Sequence, residues 1–477
     1  LKQAHTDDPL RTALITHPLY SQQLDAWTEY RLCYEGGAPY LERYLARHTK
    51  ERQVDFEARL SRAIHPNHTR SVIDTYAAHL YREPIPRTST VATLDALWAD
   101  MDLLATPADE FYERAAQLVQ RGGRVAVVVD RLDPDGGQAL TRAQERAAGR
   151  RPYAYLVSTE DIIDWRVDRR GQLIWVAIRE RVDLEREPLS LSSEQPAEHV
   201  RIWTRDSWEL VELVKGEDGA WQKLKIDEGT HPCGRVPVAF AFWGARMGVE
   251  PVAQGALTDL APMNRRLTNL VSLIDEQIYQ HVFSILAVPR STWDALEQVN
   301  WSVSGTLPFH DEVKATPYYL SPDVGQISAI RAEIDKTEAQ IRILSGMGRV
   351  NDDIKHVMSS GVALSYITMD KDALLSKFGQ RMARLEAEVD NLALAWMAES
   401  GEADREYPTS FDPADLEAEL SHALKFASLN IPGLATREAW AAITRAYLGS
   451  RVSPERLEEL VQDVMTAAVP ENTGLGF

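Results

Sequence analysis

Only two cysteines, Cys33 and Cys233, occur among the 477 residues, and they lie far apart. Such a pair supplies neither a disulfide framework nor a zinc-ligand pattern, and a reducing cytoplasm is the compartment it fits. No apolar run approaches the roughly 18 residues that a membrane-spanning helix needs, so no membrane is expected as a partner. The opening residues LKQAHTDD carry no apolar core of the secretory kind, and export by that route is not expected either. Positive charge is in short supply: 52 Lys and Arg face 71 Asp and Glu, a formal net charge of −19. That balance argues against a protein gripping nucleic acid over a broad surface, where affinity comes from basic side chains neutralising phosphates. It is compatible with a conduit, because an acidic wall repels the phosphate backbone and keeps it from sticking.

Catalytic signatures are missing as well. There is no GxxxxGK[ST] phosphate loop, no GxSxG elbow, no HExxH and no Cys/His nucleophile arrangement. The pair Gly346-x-Gly348 follows a helical pattern, where a dinucleotide fingerprint would follow a strand. His65 and His68 are three apart but have Pro66 between them and no patterned acidic or Cys partner, so they read as solvated or capping residues. Asp352-Asp353 reads as a solvated or capping pair, not a cation site. The expectation is a chain with no catalytic residues, no metal and no cofactor.

What is present is a globular composition, 44% hydrophobic and 26% charged with 12 tryptophans, in a chain long enough for more than one core. Residues 18–81 read as helices with apolar faces, stopped at Pro84 and Pro86. Residues 111–120 form an amphipathic helix closed by Gly122-Gly123, and Val125 to Val129 then reads as a buried strand. Segments 153–157, 173–181, 199–203, 209–214 and 221–226 look like successive strands of one small antiparallel sheet. A long helix follows over 255–286, carrying Leu260, Met263, Leu267, Leu270, Ile274, Ile278 and Val282 on one face. Pro289 ends it, and a compact mixed insertion with Trp293, Trp301, Phe309, Tyr318 and Tyr319 leads to a second helix. The tail from 412 to 468 reads as acidic and helical. The fold class expected is α+β, mainly helical.

Two patterned helices dominate 325–397. In the first, Ile327, Ile330, Ile334, Ile341 and Leu344 share a stripe that must be buried, with Arg331/Asp335 and Glu338/Arg342 four apart on the polar side. In the second, Leu374, Phe378, Met382, Leu385, Val389, Leu392 and Trp396 form a near-heptad seam that calls for a helical neighbour. Between them, 347–358 is weakened for helix by Gly346, Gly348 and Gly361 and reads as a loop. On pattern alone the unit is an ordinary helical hairpin in a core.

Three stretches carry a family resemblance. Ile73-Asp74-Thr75 with Pro84-Ile85 is similar to an "I-D-T … G-x-P-I" helix end, although Arg82-Glu83 stands where a Gly is common. Ser359-Ser360-Gly361-Val362-Ala363-Leu364 matches an "S-G-x-A-L" step into a long helix, and 264–283 resembles a long helix opening near an Asn. Together with the order of parts, these resemble the portal proteins of tailed bacteriophages, the SPP1-like portals in particular.

The resemblance implies a ring, usually a dodecamer, at one capsid vertex of the virion, assembled in the host cytoplasm, with double-stranded DNA passing through its axis without sequence specificity. It implies an N-terminal helical part of the wing at 1–105, an α/β wing at 106–250, a stem helix at 251–286 and a clip at 287–323. A second stem helix at 324–346, a tunnel loop at 347–361, a long wing helix at 362–400 and a helical crown at 401–477 complete it. By position, Arg349, Asn351, Asp352, Asp353, Lys355, His356, Ser359 and Ser360 fall on the tunnel loop facing DNA. Trp293, Trp301, Phe309, Tyr318 and Tyr319 fall on the clip, which in the family docks the large terminase and then head-completion proteins. Major capsid and scaffolding proteins are further partners it implies. A competing reading from the same helices is an intracellular helical adaptor with an embedded sheet, which predicts a monomer or dimer; an enzyme with an unrecognised site is a third.

Overall fold

The computed structural model describes residues 16–131, 150–182, 197–215, 221–282, 285–289, 306–309, 318–320, 325–346, 361–408, 437–438, 440–441, 444–445 and 454–466. They fall into two compact units, Leu1–Thr409 and Ser410–Phe477. The fold is α+β and mainly helical.

The first unit opens with four helices, α1 (Pro18–Glu35), α2 (Gly37–Tyr44), α3 (Gln53–Arg62) and α4 (His68–Leu80). Pro18 stands at the start of α1, where a missing N–H is no loss. Asn67 caps α4 by accepting the N–H of Arg70 at 2.9 Å. A short strand β1 (Arg87–Ser89) and helix α5 (Ala92–Ala99) lead to α6 (Ala108–Gly122). Gly123 ends α6 with φ +83°, and a Cβ there would lie 2.1 Å from the carbonyl oxygen of Ala253, so no other residue fits.

Two antiparallel sheets follow, where the sequence suggested one. In the first, β2 (Arg124–Arg131) runs between β3 (Pro152–Val157) and β9 (Val238–Phe242). Val125, Ala126, Val127, Val128 and Val129 are all fully buried, because α6 covers one face of β2 and a later helix the other. That double cover explains an apolar run without alternation. The second sheet is a meander of β4 (Ile162–Val167), β5 (Leu173–Val182), β6 (Ala197–Trp203), β7 (Ser207–Lys215) and β8 (Trp221–Thr230). Segment 153–157 therefore belongs to the first sheet, and the second is completed by β4, which the strand reading missed.

Helix α7 (Leu257–Val282) is shorter than expected at both ends. The chain is already extended from Ile285, within the last two residues of the segment assigned to the stem, and the rest of β10 (Ile285–Pro289) falls in the clip segment. β10 lies between β11 (Thr306–Phe309), parallel to it, and β12 (Tyr318–Leu320), antiparallel. Helix α8 (Gly325–Leu344) then returns alongside α7. Because β10 continues α7, β12 precedes α8, and Ile285 pairs with Leu320, the two helices leave this small sheet from the same end and run antiparallel.

Helix α9 (Gly361–Trp396) begins well before the apolar seam that opens at Leu374, and within one residue of the 362 at which the resemblance places the long helix. Its seam does not meet a helical partner of its own kind. Leu375, Phe378, Met382, Leu385, Val389, Leu392 and Trp396 are buried chiefly against β9 and β2, with α5 alongside. A stripe of period 3.6 is covered as well by the flat apolar face of a sheet, and β2 offers one. Leu374 is 38% exposed, and Leu375 takes the buried position instead.

The unit closes with β13 (Ala403–Arg405), which pairs antiparallel with β1. Residues 401–408 thus belong with the N-terminal helical part and not with the C-terminal one. In the second unit, α10 (Pro454–Thr466) buries Val461, and residues 437–438, 440–441 and 444–445 are helical.

Candidate functional site: the paired helices α7 and α8 and their root

The N-terminal half of α7 is gripped by polar side chains. Asn264, Thr268 and Ser272 are buried on it, at spacings of one turn. Asn264 Oδ1 accepts the N–H of His68 at 3.2 Å. His65 Nε2 lies 3.0 Å from the Cys33 carbonyl, which can only accept, so that nitrogen carries the proton. Its Nδ1 is left as an acceptor, 3.3 Å from the Asn264 amide nitrogen and 2.9 Å from the Thr268 hydroxyl, which also reaches the Asn264 carbonyl at 2.9 Å. Burial lowers the pKa of His65, in keeping with a neutral ring. His65 is thus a half-buried tie between α7 and α1, not a solvated or capping residue.

Arg59 is the one buried residue of α3. It makes a two-pronged bond to Glu51, 2.8 Å on each prong, and also donates to Ser272 Oγ and the Ala46 carbonyl, each at 2.9 Å. Asn269 accepts the Ala46 N–H at 2.8 Å and donates to the Tyr44 carbonyl at 3.2 Å. Arg62 bonds Glu276 at 2.5 Å with its guanidinium 4.2 Å from the Tyr279 ring centroid. Arg265 pairs with Glu29 at 3.1 Å, while burial pushes the Glu29 carboxyl up. These contacts fix the roll of α7, since each names one face of the helix.

The apolar face of α7 loses its cover farther along. Leu260, Leu267 and Ile274 are buried, whereas Ile278, on the same face one turn later, is 43% exposed. On α8, Ile341 is buried, Ile327, Ile330 and Ile334 are half-buried, and Ile343 and Leu344 are exposed. The stripe expected to be buried through Leu344 is therefore only partly covered within one chain. Arg266 to Glu333 at 2.6 Å links the two helices, and Glu338 pairs with Arg342 at 3.8 Å as the spacing suggested.

At the end of α8, Gly346 takes φ +70° and its N–H bonds the Ile343 carbonyl at 3.1 Å. The carbonyl of Ser345 accepts the buried hydroxyl of Tyr76 at 2.7 Å. The Tyr76 ring stands edge-on to Trp243, centroids 6.2 Å apart, and Trp243 edge-on to Phe378 of α9 at 4.8 Å.

A second polar cluster lies under α9. Arg87 bonds Glu386, buried on α9, and Asp109 at 2.6 Å; burial opposes its charge, but these two carboxylates raise its pKa. Tyr407 donates to Glu386 at 3.0 Å and meets Tyr81 hydroxyl to hydroxyl at 3.1 Å. Elsewhere Arg124 is fully buried without a carboxylate, bonding the Pro251 carbonyl at 2.5 Å and the Ile162 carbonyl at 3.3 Å. Its guanidinium lies 5.2 Å from the Trp27 ring and 4.5 Å from the Trp165 ring. Desolvation brings its pKa down to about 9.

Of the residues expected to face DNA, Arg349, Asn351, Asp352, Asp353, Lys355, His356, Ser359 and Ser360 all lie outside the described residues. So do Trp293 and Trp301 of the docking set. Phe309 closes β11 in register with Pro289, and Tyr318 and Tyr319 lie in β12 opposite Ala287 and Leu286, so the small sheet brings these three together along the backbone. The root residues Arg59, Thr268 and Tyr76 were not singled out by pattern, and His65 was read only as solvated or capping. A buried-face polar triplet at one-turn spacing on α7 was the available signal. Among the described residues no group of His, Cys, Asp and Glu is arranged to hold a metal ion, and no helix is long and apolar enough to cross a membrane.

No family model matches the chain, and no curated protein does. Among solved structures it is similar to a chain in the neck of an empty GTA particle computed with C6 symmetry, at 9% identity and TM-score 0.34, over 82% of this chain and 88% of that one. A chain in the virion of the native gene transfer agent (GTA) particle is similar at 10% identity and TM-score 0.36, over 91% and 98%. One in the neck of the native GTA particle computed with C12 symmetry is similar at 10% and 0.35, over 82% and 88%. Likeness of this degree leaves the function to be argued from the residues.

Proposed function

We propose that the chain is a structural protein of a phage-like head-tail particle and, within that class, the portal subunit: one member of a ring through whose axis double-stranded DNA is packaged and ejected. The observation that carries this reading is the antiparallel pair α7/α8. It is held at its root by side-chain hydrogen bonds, tipped by a three-stranded sheet, and its continuous apolar face is left half open in a single chain. A ring closes through unlike surfaces of successive subunits, so its wall helices need a face for the neighbour besides the face for their own body. Ile278, on the stripe that is buried upstream, offers one.

In this reading α7 and α8 are the stem and β10, β11 and β12 the clip, through which the large terminase and later the head-completion proteins dock. Residues 347–360 line the channel, with Arg349, Asn351, Lys355 and His356 touching phosphates in passing and Asp352 and Asp353 keeping the contact brief. The reading assigns no reaction to the chain. Multi-angle light scattering and negative-stain images of the purified protein test it: a ring with a central hole is expected. A monomer or dimer would overturn it in favour of the helical adaptor.

A further inference from the structure

Helix α9 buries its apolar seam and leaves its other face bare. Lys377, Gln380, Arg384, Glu388 and Asn391 are exposed there and Arg381 is half-buried, at the three- and four-residue steps that keep to one face. Lys377, Arg381 and Arg384 stand four and three apart, a spacing at which like charges repel along a helix. Burial and then Arg384 lower the pKa of Arg381, and no carboxylate is among the causes. None of these three cations enters an ion pair among the described residues. In a chain with 71 Asp and Glu against 52 Lys and Arg, the stripe is a local reversal of sign.

Elsewhere on the chain the opposite sign is left over. Glu113 on α6 is half-buried; burial and then Asp74, Glu110 and Asp109 push its carboxyl up, with no cation among the causes. Asp74 reaches this surface from α4, where Gln117 of α6 donates to it at 3.3 Å. Arg114 pairs with Glu110 and Arg87 with Asp109, so Glu113 is the carboxylate without a counter-charge. Each face is relieved by a partner of the other sign. The α9 face is not suited to a phosphate backbone, because Leu374, 38% exposed, stands three residues before Lys377, and the exposed Glu388 stands one turn beyond Arg384. A leucine at one end of a basic stripe and a carboxylate at the other match a protein surface, and a second copy of this chain carries a complementary one.

We propose that the outer face of α9 in one subunit docks on the α4/α6 face of the next, with Arg381 and Arg384 set against Glu110 and Glu113. The two faces are unlike, so the contact repeats head to tail and can close a ring. The inference rests on the ring of the portal reading and names a charged contact that builds it, separate from the apolar one offered by Ile278. Because the charges lie on exposed surfaces, raised salt weakens this contact.

The test reverses each face in the full chain: Arg381→Glu with Arg384→Glu in one variant, Glu110→Lys with Glu113→Lys in the other. Both should keep the melting profile of the wild type, since all four side chains are exposed or half-buried. By light scattering, each variant alone should need a concentration higher by about tenfold or more to half-assemble, because like charges then face each other. Mixed in equal amounts, the two should rebuild the ring with alternating subunits, since acid again meets base at every contact. Rings formed by either variant alone at the wild-type concentration would overturn this contact and leave the portal reading standing. A mixture that stays unassembled where the wild type forms rings would overturn the pairing of these two faces. Loss of duplex DNA binding by the first variant, with its ring intact, would give the α9 face to nucleic acid and overturn the proposal. A wild type that never assembles would overturn the portal reading itself.

Discussion

Trp98 donates its indole N–H to Asp390 at 3.0 Å across 292 positions of sequence, and Arg405 donates to the other oxygen of the same carboxylate at 2.6 Å. Two donors satisfy Asp390, yet burial outweighs them and pushes its pKa up to about 6. A carboxyl whose folded value lies above its unfolded value of 3.8 holds a proton in the folded state that it would release on unfolding. Its contribution to stability is therefore present at acid pH and is lost as pH rises from about 4 through 6. The gap in stability between the wild type and Asp390→Asn should shrink across that window, at up to about 1.4 kcal/mol per pH unit. Denaturant melts at closely spaced pH values read it; a gap that widens with pH would contradict the assignment.

His65 should behave in the opposite sense. Its folded pKa lies below the ordinary histidine value, so the unfolded chain takes up the proton first and stability falls as pH drops below about 6.5. Thermal melts at pH 7.5 and 5.5 should show the wild type losing more than His65→Gln. Exchange at α7 amides around Asn264 should rise in the acid sample of the wild type alone.

Arg124 joins α1, β2, β4 and the turn at Pro251 from a fully buried site. Arg124→Ala leaves two buried carbonyls without a donor and a space between two indoles. A cost of about 4 kcal/mol is expected from those two effects together. Arg124→Lys should recover little of it, because a point charge cannot serve divergent carbonyls and stack between rings at once. Equal stability of the lysine variant and the wild type in urea melts would show that the planar fork is not needed.

Ile278→Asp addresses assembly. The side chain is 43% exposed in a single chain, so the isolated subunit should keep its stability to within about 0.5 kcal/mol. If a neighbouring subunit covers that face, the carboxylate is buried on association and the ring should fail to form. Light scattering of the variant at matched concentration separates the two outcomes; an intact ring would place the neighbour elsewhere.

Helix α8 was legible nearly to the residue, because its isoleucines repeat with the helical period and glycines stand at both ends. The start of α9 was legible only through the Ser359 to Leu364 resemblance, since on pattern alone Gly361 reads as a stop and the apolar seam opens only at Leu374. Strand positions were mostly visible, but strand partners were not: alternation says that β3 is a strand and nothing about whether it joins β2 or β4. Strand β4 alternates Ile163, Trp165 and Val167 over only six residues, a short signal that the strand reading does not include. The three-residue strands β1 and β13 carry no periodic signal at all. At the root of α7, Asn264 drew notice from family likeness, while Arg59 and His65 gain meaning only from partners roughly two hundred positions away.

The pairing of Arg87–Ser89 with Ala403–Arg405 sets a constraint on how the chain matures. Arg87 waits for Glu386, Trp98 for Asp390, and the carbonyl of Val129 for the indole of Trp396, so the early helices and the first sheet cannot finish until the ribosome has released residue 405. Contacts this distant are slow to form, because the long loop must close before they give anything back. For most of its synthesis the nascent chain therefore carries an uncovered β2 face. An apolar sheet face left open in this way is what makes a partly folded chain prone to aggregate.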